Sequence, residues 1–137
     1  MAAALADRTS AMAGGALETR QIWRDRFEDA LLGAIPGARI LGKGAERLWN
    51  TVSVLMPELR DCRRRWVVVM DKLGYAVSTG SACASGKEKP SHVLTAMGVP
   101  ADEAGRALRF SSGWETEEKD WEELLRGLQE AVAEMQR

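Results

Sequence analysis

Ala107-Leu108-Arg109-Phe110-Ser111-Ser112-Gly113-Trp114-Glu115-Thr116-Glu117-Glu118 changes its period partway along, and that change decides the fold class. Ala107 to Ser111 alternates apolar with polar residues, as a half-buried strand does. Past the Gly113 turn, Thr116 is placed to cap a helix, with Glu117 and Glu118 in its first turn, where negative charge suits the helix dipole. Trp121, Leu124, Leu125, Leu128, Val132 and Met135 then recur at helical spacing and mark one apolar face. A strand therefore feeds a long amphipathic helix.

The rest of the chain repeats the mixture. Ala16 to Gly33 predicts an amphipathic helix with Ile22, Trp23, Phe27, Ala30 and Leu31 on one broad face and Arg24, Asp25, Glu28 and Asp29 elsewhere. Gly33 and the Ile35-Pro36-Gly37 turn are its stop. Ala38 to Leu41 and Asn50 to Met56 read as strands, the second ended by Pro57. Leu59 to Leu73 reads as a helix with Trp66, Val69, Met70 and Leu73 inward and Arg63, Arg64 and Arg65 reaching water, although Val67-Val68-Val69 suits a strand better. Gly74 stops that helix, Tyr75 to Ser78 is a further strand, and Ser91 to Met97 is a short helix. The sum is an α+β domain over 16–137, with a small, mostly antiparallel sheet packed with helices. Residues 1–15 carry no comparable pattern, and Gly14-Gly15 weakens any helix there, so this segment is expected to be loosely ordered.

Bulk properties narrow the function. The chain has 137 residues, 45% of them hydrophobic and 28% charged, which suits one globular core. A formal net charge of -1 supplies no global field for nucleic acid or an anionic membrane. No apolar run is long enough to span a bilayer, and the Ala-rich start, interrupted by Asp7, does not read as a signal peptide. Two cysteines, Cys62 and Cys83, permit at most one disulfide, and a cytoplasmic protein with free thiols is the expectation.

Ser78-Thr79-Gly80-Ser81-Ala82-Cys83-Ala84-Ser85-Gly86 sets one cysteine among small residues directly after an apolar piece. Small neighbours leave a sulfur uncovered, whereas a structural cysteine packs among larger apolar side chains. The loop is thus built to present the Cys83 thiol. The other candidates are plainer. His92 reads as structural or solvated, Cys62 as a helix residue without a role, and Arg63, Arg64 and Arg65 as a solvated helix face. Cys62, Cys83 and His92 lack the spacing of a zinc site, and no metal is expected.

Four pieces in order resemble the C-terminal domain of cysteine desulfurases of the NifS and IscS kind, pyridoxal-phosphate enzymes of the class V aminotransferase group. Gly74-Tyr75-Ala76-Val77-Ser78-Thr79-Gly80-Ser81-Ala82-Cys83 is similar to the family's cysteine loop. Pro90-Ser91-His92-Val93-Leu94 through Met97-Gly98 is similar to the helix after it, and Leu108-Arg109-Phe110-Ser111-Ser112-Gly113 to the strand bearing the substrate-binding arginine. Thr116-Glu117-Glu118 opens the final helix in the same way. Ile35-Pro36-Gly37 and Asn50-Thr51-Val52-Ser53 extend the match more weakly.

The resemblance implies the small C-terminal domain of a fold-type I pyridoxal-phosphate transferase. It implies that Cys83, as thiolate, attacks the sulfur of cofactor-bound L-cysteine, keeps a persulfide and releases L-alanine. Arg109 clamps the substrate carboxylate, a task suited to a planar bidentate donor. It also implies a homodimeric parent and a sulfur-acceptor protein. The family's cofactor lysine, pyridine-binding aspartate and ring-stacking histidine have no counterpart here, since Lys43, Lys72, Lys87, Lys89 and Lys119 all look like surface residues. The expectation is therefore the final portion of a desulfurase, binding no pyridoxal phosphate alone and relying on a cofactor domain in the same or a separate chain. The alternatives are a subunit of a split desulfurase or a non-catalytic persulfide carrier using Cys83. Trp114 and Glu115 depart from the family's usual arginine and threonine.

Overall fold

The computed structural model describes Thr9 and residues 15–59, 62–79 and 91–136, with 62–64 by backbone alone. Most of the segment 1–15, and Cys83 with its neighbours from Gly80 to Pro90, lie outside the described residues. The elements in chain order are α1 (Ala16–Ala34), β1 (Arg39–Ile40), β2 (Thr51–Leu55), α2 (Cys62–Lys72), α3 (His92–Ala96), α4 (Ala101–Ala104), β3 (Ala107–Ser111) and α5 (Glu118–Met135). The strands form one antiparallel sheet in the order β1-β2-β3.

The register of the sheet assigns its two faces. Val52 pairs with Phe110 and Val54 with Leu108, and these four face the main core. Thr51, Ser53 and Leu55 pair with Ser111, Arg109 and Ala107 on the other side, as the period of two requires. Against the inner face lie α1, α2 and α5, which contribute Phe27, Leu31, Trp66, Met70, Trp121 and Leu128. Phe27 meets Phe110 edge-on at 6.0 Å and Trp121 at 4.8 Å. The outer face has a smaller cluster at one end, built from Leu41, Leu55, Leu94, Val99, Ala104 and Ala107. The short α4 within it was not read from the sequence.

Several expectations change. On α1, Ile22 is half exposed and Ala30 exposed, while Arg24 and Glu28 are buried. The stretch 42–50 folds over that side of the helix and brings partners for both charges, which is what allows them to be buried. Gly33 lies within α1, which ends at the Ile35-Pro36-Gly37 turn, where Gly37 takes a φ of 86°. Arg65 does not reach freely into water, because its guanidinium turns to the Glu134 carbonyl in the last turn of α5.

Tyr75 to Ser78 is not a strand. Only Ser78 bridges to β3, because Tyr75 is drawn away onto α5. Thr116 is not the cap of α5 either. Its hydroxyl accepts the Gly113 N–H at 2.9 Å and tightens the preceding turn. Glu117 takes the cap position, in a capping box with Asp120, whose carboxylate accepts the Glu117 N–H at 2.8 Å. The Val67-Val68-Val69 run stays helical because Trp66, Val69 and Met70 are buried against the core.

Candidate functional site

Arg109 stands at the centre of β3 with its side chain on the outer face, exposed. Its backbone is held from both sides. Across β2 it faces Ser53, and on its other edge it exchanges two hydrogen bonds with Ser78, donating at 2.8 Å and accepting at 3.2 Å. The side chain borders a cleft of about 610 Å³ on the outer face. Thr51, Ser53, Ser91, His92, Glu46 and Arg47 are its other polar and charged lining residues, and Leu48, Val93 and Met97 also border it. Those three apolar residues are 70%, 53% and 49% exposed.

One wall of the cleft, the stretch 41–48, is fastened to α1 by charge. Arg47 donates to both carboxylate oxygens of Glu28, at 2.7 and 3.0 Å. Arg24 donates to the Leu48 carbonyl at 2.7 Å. Glu28 is 1% exposed, and its hydrogen bond holds the Arg47 guanidinium above its ordinary pKa against the opposing effect of burial. The bidentate arginine satisfies the buried carboxylate and sets the geometry of the wall, while the buried Arg47 Nε has no hydrogen-bond partner among the described residues.

Nearby, the Arg20 guanidinium lies between 5.0 and 5.8 Å from the ring centres of Trp23, Trp49 and Trp114 and donates to the Trp114 carbonyl. Trp49 and Trp114 stack at 4.9 Å. Trp114, one of the departures from the family pattern, thus ties the turn after β3 to α1.

Of the residues singled out from sequence, Arg109 lies in the cleft and Cys83 falls outside the described residues. Cys62 begins α2, and the side chains of Arg63 and Arg64 are not among those described. His92, set aside as structural, opens α3 and borders the same cleft as Arg109. The sequence signal was present in the alternation of β2, which puts Ser53 on the outer face, but nothing in the sequence alone joins His92 to that face. Among the described residues, no group of three or more histidines, cysteines, aspartates or glutamates is placed to hold a metal, and no helix is long and apolar enough to cross a membrane.

Comparison with known proteins agrees with this architecture. No family model matches the chain. A cysteine desulfurase of Cereibacter sphaeroides is 42% identical over 104 residues, 75% of this chain and 26% of that protein. The cysteine desulfurase NifS of Azotobacter vinelandii is 33% identical over 112 residues, 82% of this chain and 27% of its own length. The solved structure of a NifS-like protein from Rickettsia africae superposes with a TM-score of 0.69 at 25% identity, covering 85% of this chain and 29% of that one. The fold and the sequence together define a NifS-like α+β domain. The chain is similar to cysteine desulfurases over 75% and 82% of its own length, and it spans about a quarter of the length of the curated relatives it matches.

The likeness to cysteine desulfurases implies pyridoxal phosphate in those full-length enzymes, and the described residues of this chain do not fit that group. No lysine or aspartate borders the Arg109 cleft. Lys43 pairs with Asp29, Lys119 pairs with Glu117, and Lys72 ends α2 on the surface. Among the described residues, no lysine amine is placed at the cleft for an imine-forming cofactor.

Proposed function

We propose that this chain is the C-terminal portion of a cysteine desulfurase, in which Arg109 holds the carboxylate of L-cysteine and Cys83 takes its sulfur. The observation that carries this reading is the pairing of Arg109 with Ser78 at the border of the cleft. Ser78 begins the small-residue run that bears Cys83 five positions later. Five residues span at most about 18 Å, which bounds the distance from Ser78 to Cys83 along the chain.

The transfer is redox-neutral overall. A sulfur–sulfur bond forms at Cys83, the carbon–sulfur bond of the substrate breaks, a proton goes to the substrate carbon, and L-alanine leaves. Pyridoxal phosphate, the family's electron sink, belongs in this reading to a part of the enzyme outside this chain. The apolar rim of Leu48, Val93 and Met97 supports such a partner, because docking would cover residues that water now reaches. The persulfide then passes to an acceptor protein.

A chimera tests the reading. The matching portion of the Cereibacter sphaeroides desulfurase is replaced by this chain, and alanine formation from L-cysteine is followed. Activity that falls at least a hundredfold in Cys83→Ser is expected, together with a raised KM in Arg109→Gln. A chimera equally active with Ser at position 83 overturns the assignment. The isolated chain mixed with pyridoxal phosphate is expected to show no imine band reducible by borohydride. Labelled persulfide that reaches Cys83 of the isolated chain from a separate desulfurase would favour the carrier function instead.

A further inference from the structure

The stretch 42–48 crosses from β1 to β2 as a strap whose two ends are fixed to the sheet. The Leu41 N–H donates to the Ser53 carbonyl at 2.8 Å, and the Ser112 N–H donates to the Asn50 carbonyl at 2.9 Å. Between those anchors no apolar side chain is buried: Ala45 and Leu48 are both exposed, as are Lys43 and Glu46. Charge holds the strap instead, and all of it bears on α1. Lys43 pairs with Asp29, Arg47 with Glu28, and Arg24 donates to the Leu48 carbonyl at 2.7 Å. Among the described residues, no hydrogen bond or ion pair joins 42–48 to α3 or β3 on the other side of the cleft. A segment with little buried apolar surface opens locally ahead of the core.

The opposite wall of the cleft has the surface that the strap lacks. Val93 and Met97 of α3 border the same cleft as Leu48, and all three are about half exposed or more. None of them belongs to either buried cluster. A strap that swings from α1 toward α3 removes apolar surface of all three from water and gives up the Arg24 bond to the Leu48 carbonyl. Its N-terminal end carries Gly42 and Gly44, at φ of 71° and 85°, and glycine accepts such rotation at least steric cost. At its other end Trp49 stacks on Trp114 and stays as a pivot.

We propose that residues 42–48 are a lid over the Arg109 cleft, latched open by Arg24 and Glu28 and closing with Leu48 on Val93 and Met97. This goes beyond the function proposed above, and it needs neither Cys83 nor a cofactor. The open and closed states share the anchors at Leu41 and Asn50 and differ in the wall on which the strap rests. A partner seated on the cleft would cover the same three side chains, so closure belongs to the chain with its cleft free.

Disulfide trapping on the full chain tests the lid. Cys62→Ala and Cys83→Ala remove the native thiols, and Leu48→Cys with Met97→Cys place one on each wall. A disulfide forms only while the two Cα atoms stand within about 7 Å. Oxidised glutathione takes the two electrons and leaves as two reduced molecules, and intact mass follows the loss of two hydrogens at micromolar protein. A slow intramolecular disulfide is expected with the latch in place. Arg24→Met is expected to speed it at least about tenfold, the shift that loss of one charge-assisted hydrogen bond produces. Glu28→Gln, which frees Arg47, is expected to act in the same direction and decides alone should Arg24→Met fail to fold by circular dichroism. Arg26→Met, on the same helix but paired with Glu118, is expected to leave the rate unchanged. No intramolecular disulfide in any variant overturns the closed state. A rate unchanged by both latch variants, or raised equally by Arg26→Met, overturns the latch.

Discussion

The two faces of the three-stranded sheet differ more from each other than any two elements of the chain do. Val52, Val54, Leu108 and Phe110 on the inner face are each at most 3% exposed, beneath three helices. Thr51, Ser53, Arg109 and Ser111 alternate with them along the same two strands and remain within reach of water. The backbone is shared, so the contrast lies in side chains alone. The inner face carries the main core, whereas on the outer face only Leu55 and Ala107 at one end join a smaller buried cluster, and Thr51, Ser53, Arg109 and Ser111 reach water. Substitutions on the two sides should therefore separate stability from function.

The largest loss is expected at Phe110→Ala. The ring touches Phe27 and closes the inner face, and emptying such a site costs about 4 kcal/mol through lost burial and a residual cavity. The opposed change Ser53→Ala, one residue away across the pair and on the outer face, should stay within about 0.5 kcal/mol. Urea unfolding followed by tryptophan fluorescence measures both. Equal losses would mean that the outer face is also part of the core.

The Arg47–Glu28 pair lies between the two regimes, for it is polar, yet buried like the core. Arg47→Met leaves the Glu28 carboxylate buried without its bidentate partner, and about 3 kcal/mol of destabilisation is expected. Adding Glu28→Met should restore most of that loss, since a buried ion pair replaced by apolar residues of similar volume is often neutral. A double variant no more stable than Arg47→Met would show that the pair anchors the wall of the cleft by more than charge compensation.

A smaller effect is expected at the start of α5. Glu117→Ala removes the side chain that caps the first turn, and loss of such a cap costs about 1 kcal/mol. Thr116→Ala should cost less, because its hydroxyl serves the Gly113 turn rather than the helix end. The opposite order would return the cap to Thr116.

These contrasts also show what the sequence made legible. Periodicity decided the elements whose apolar spacing is long or strictly alternating: α5, β2 and β3 were readable, as was the burial of Trp66, Val69 and Met70 on α2. It did not reveal long-range polar partners. Arg24 and Glu28 fall off the apolar face of α1, and their burial is not legible there because the groups that satisfy them, the Leu48 carbonyl and Arg47, lie some twenty residues along the chain. Local patterning did not show the fate of Tyr75 either, whose strand-like neighbours were overruled by a notch in a helix fifty residues away. Arg109 is singled out by its motif and His92 is not, yet both border the cleft once α3 folds over the outer face. Cys83 lies outside the described residues.

The sharpest use of the two-face contrast is Arg109→Gln, which has the smallest expected effect on stability. Arg109 is exposed on the outer face, and no hydrogen bond or ion pair of its side chain is recorded among the described residues; its two bonds to Ser78 are backbone bonds that glutamine preserves. Unfolding free energy should move by no more than about 0.5 kcal/mol. In the chimeric desulfurase the same change should raise KM for L-cysteine at least tenfold, since a charge-assisted contact to a carboxylate contributes about 1.5–3 kcal/mol. Arg109→Lys should recover only part of that, because an ammonium retains the charge and loses the planar two-point grip. Full recovery with lysine would mean that only positive charge matters at this position. A variant that lost stability as well as affinity would mean that Arg109 belongs to the architecture, and that the outer face is not the separate surface for chemistry that its exposure indicates.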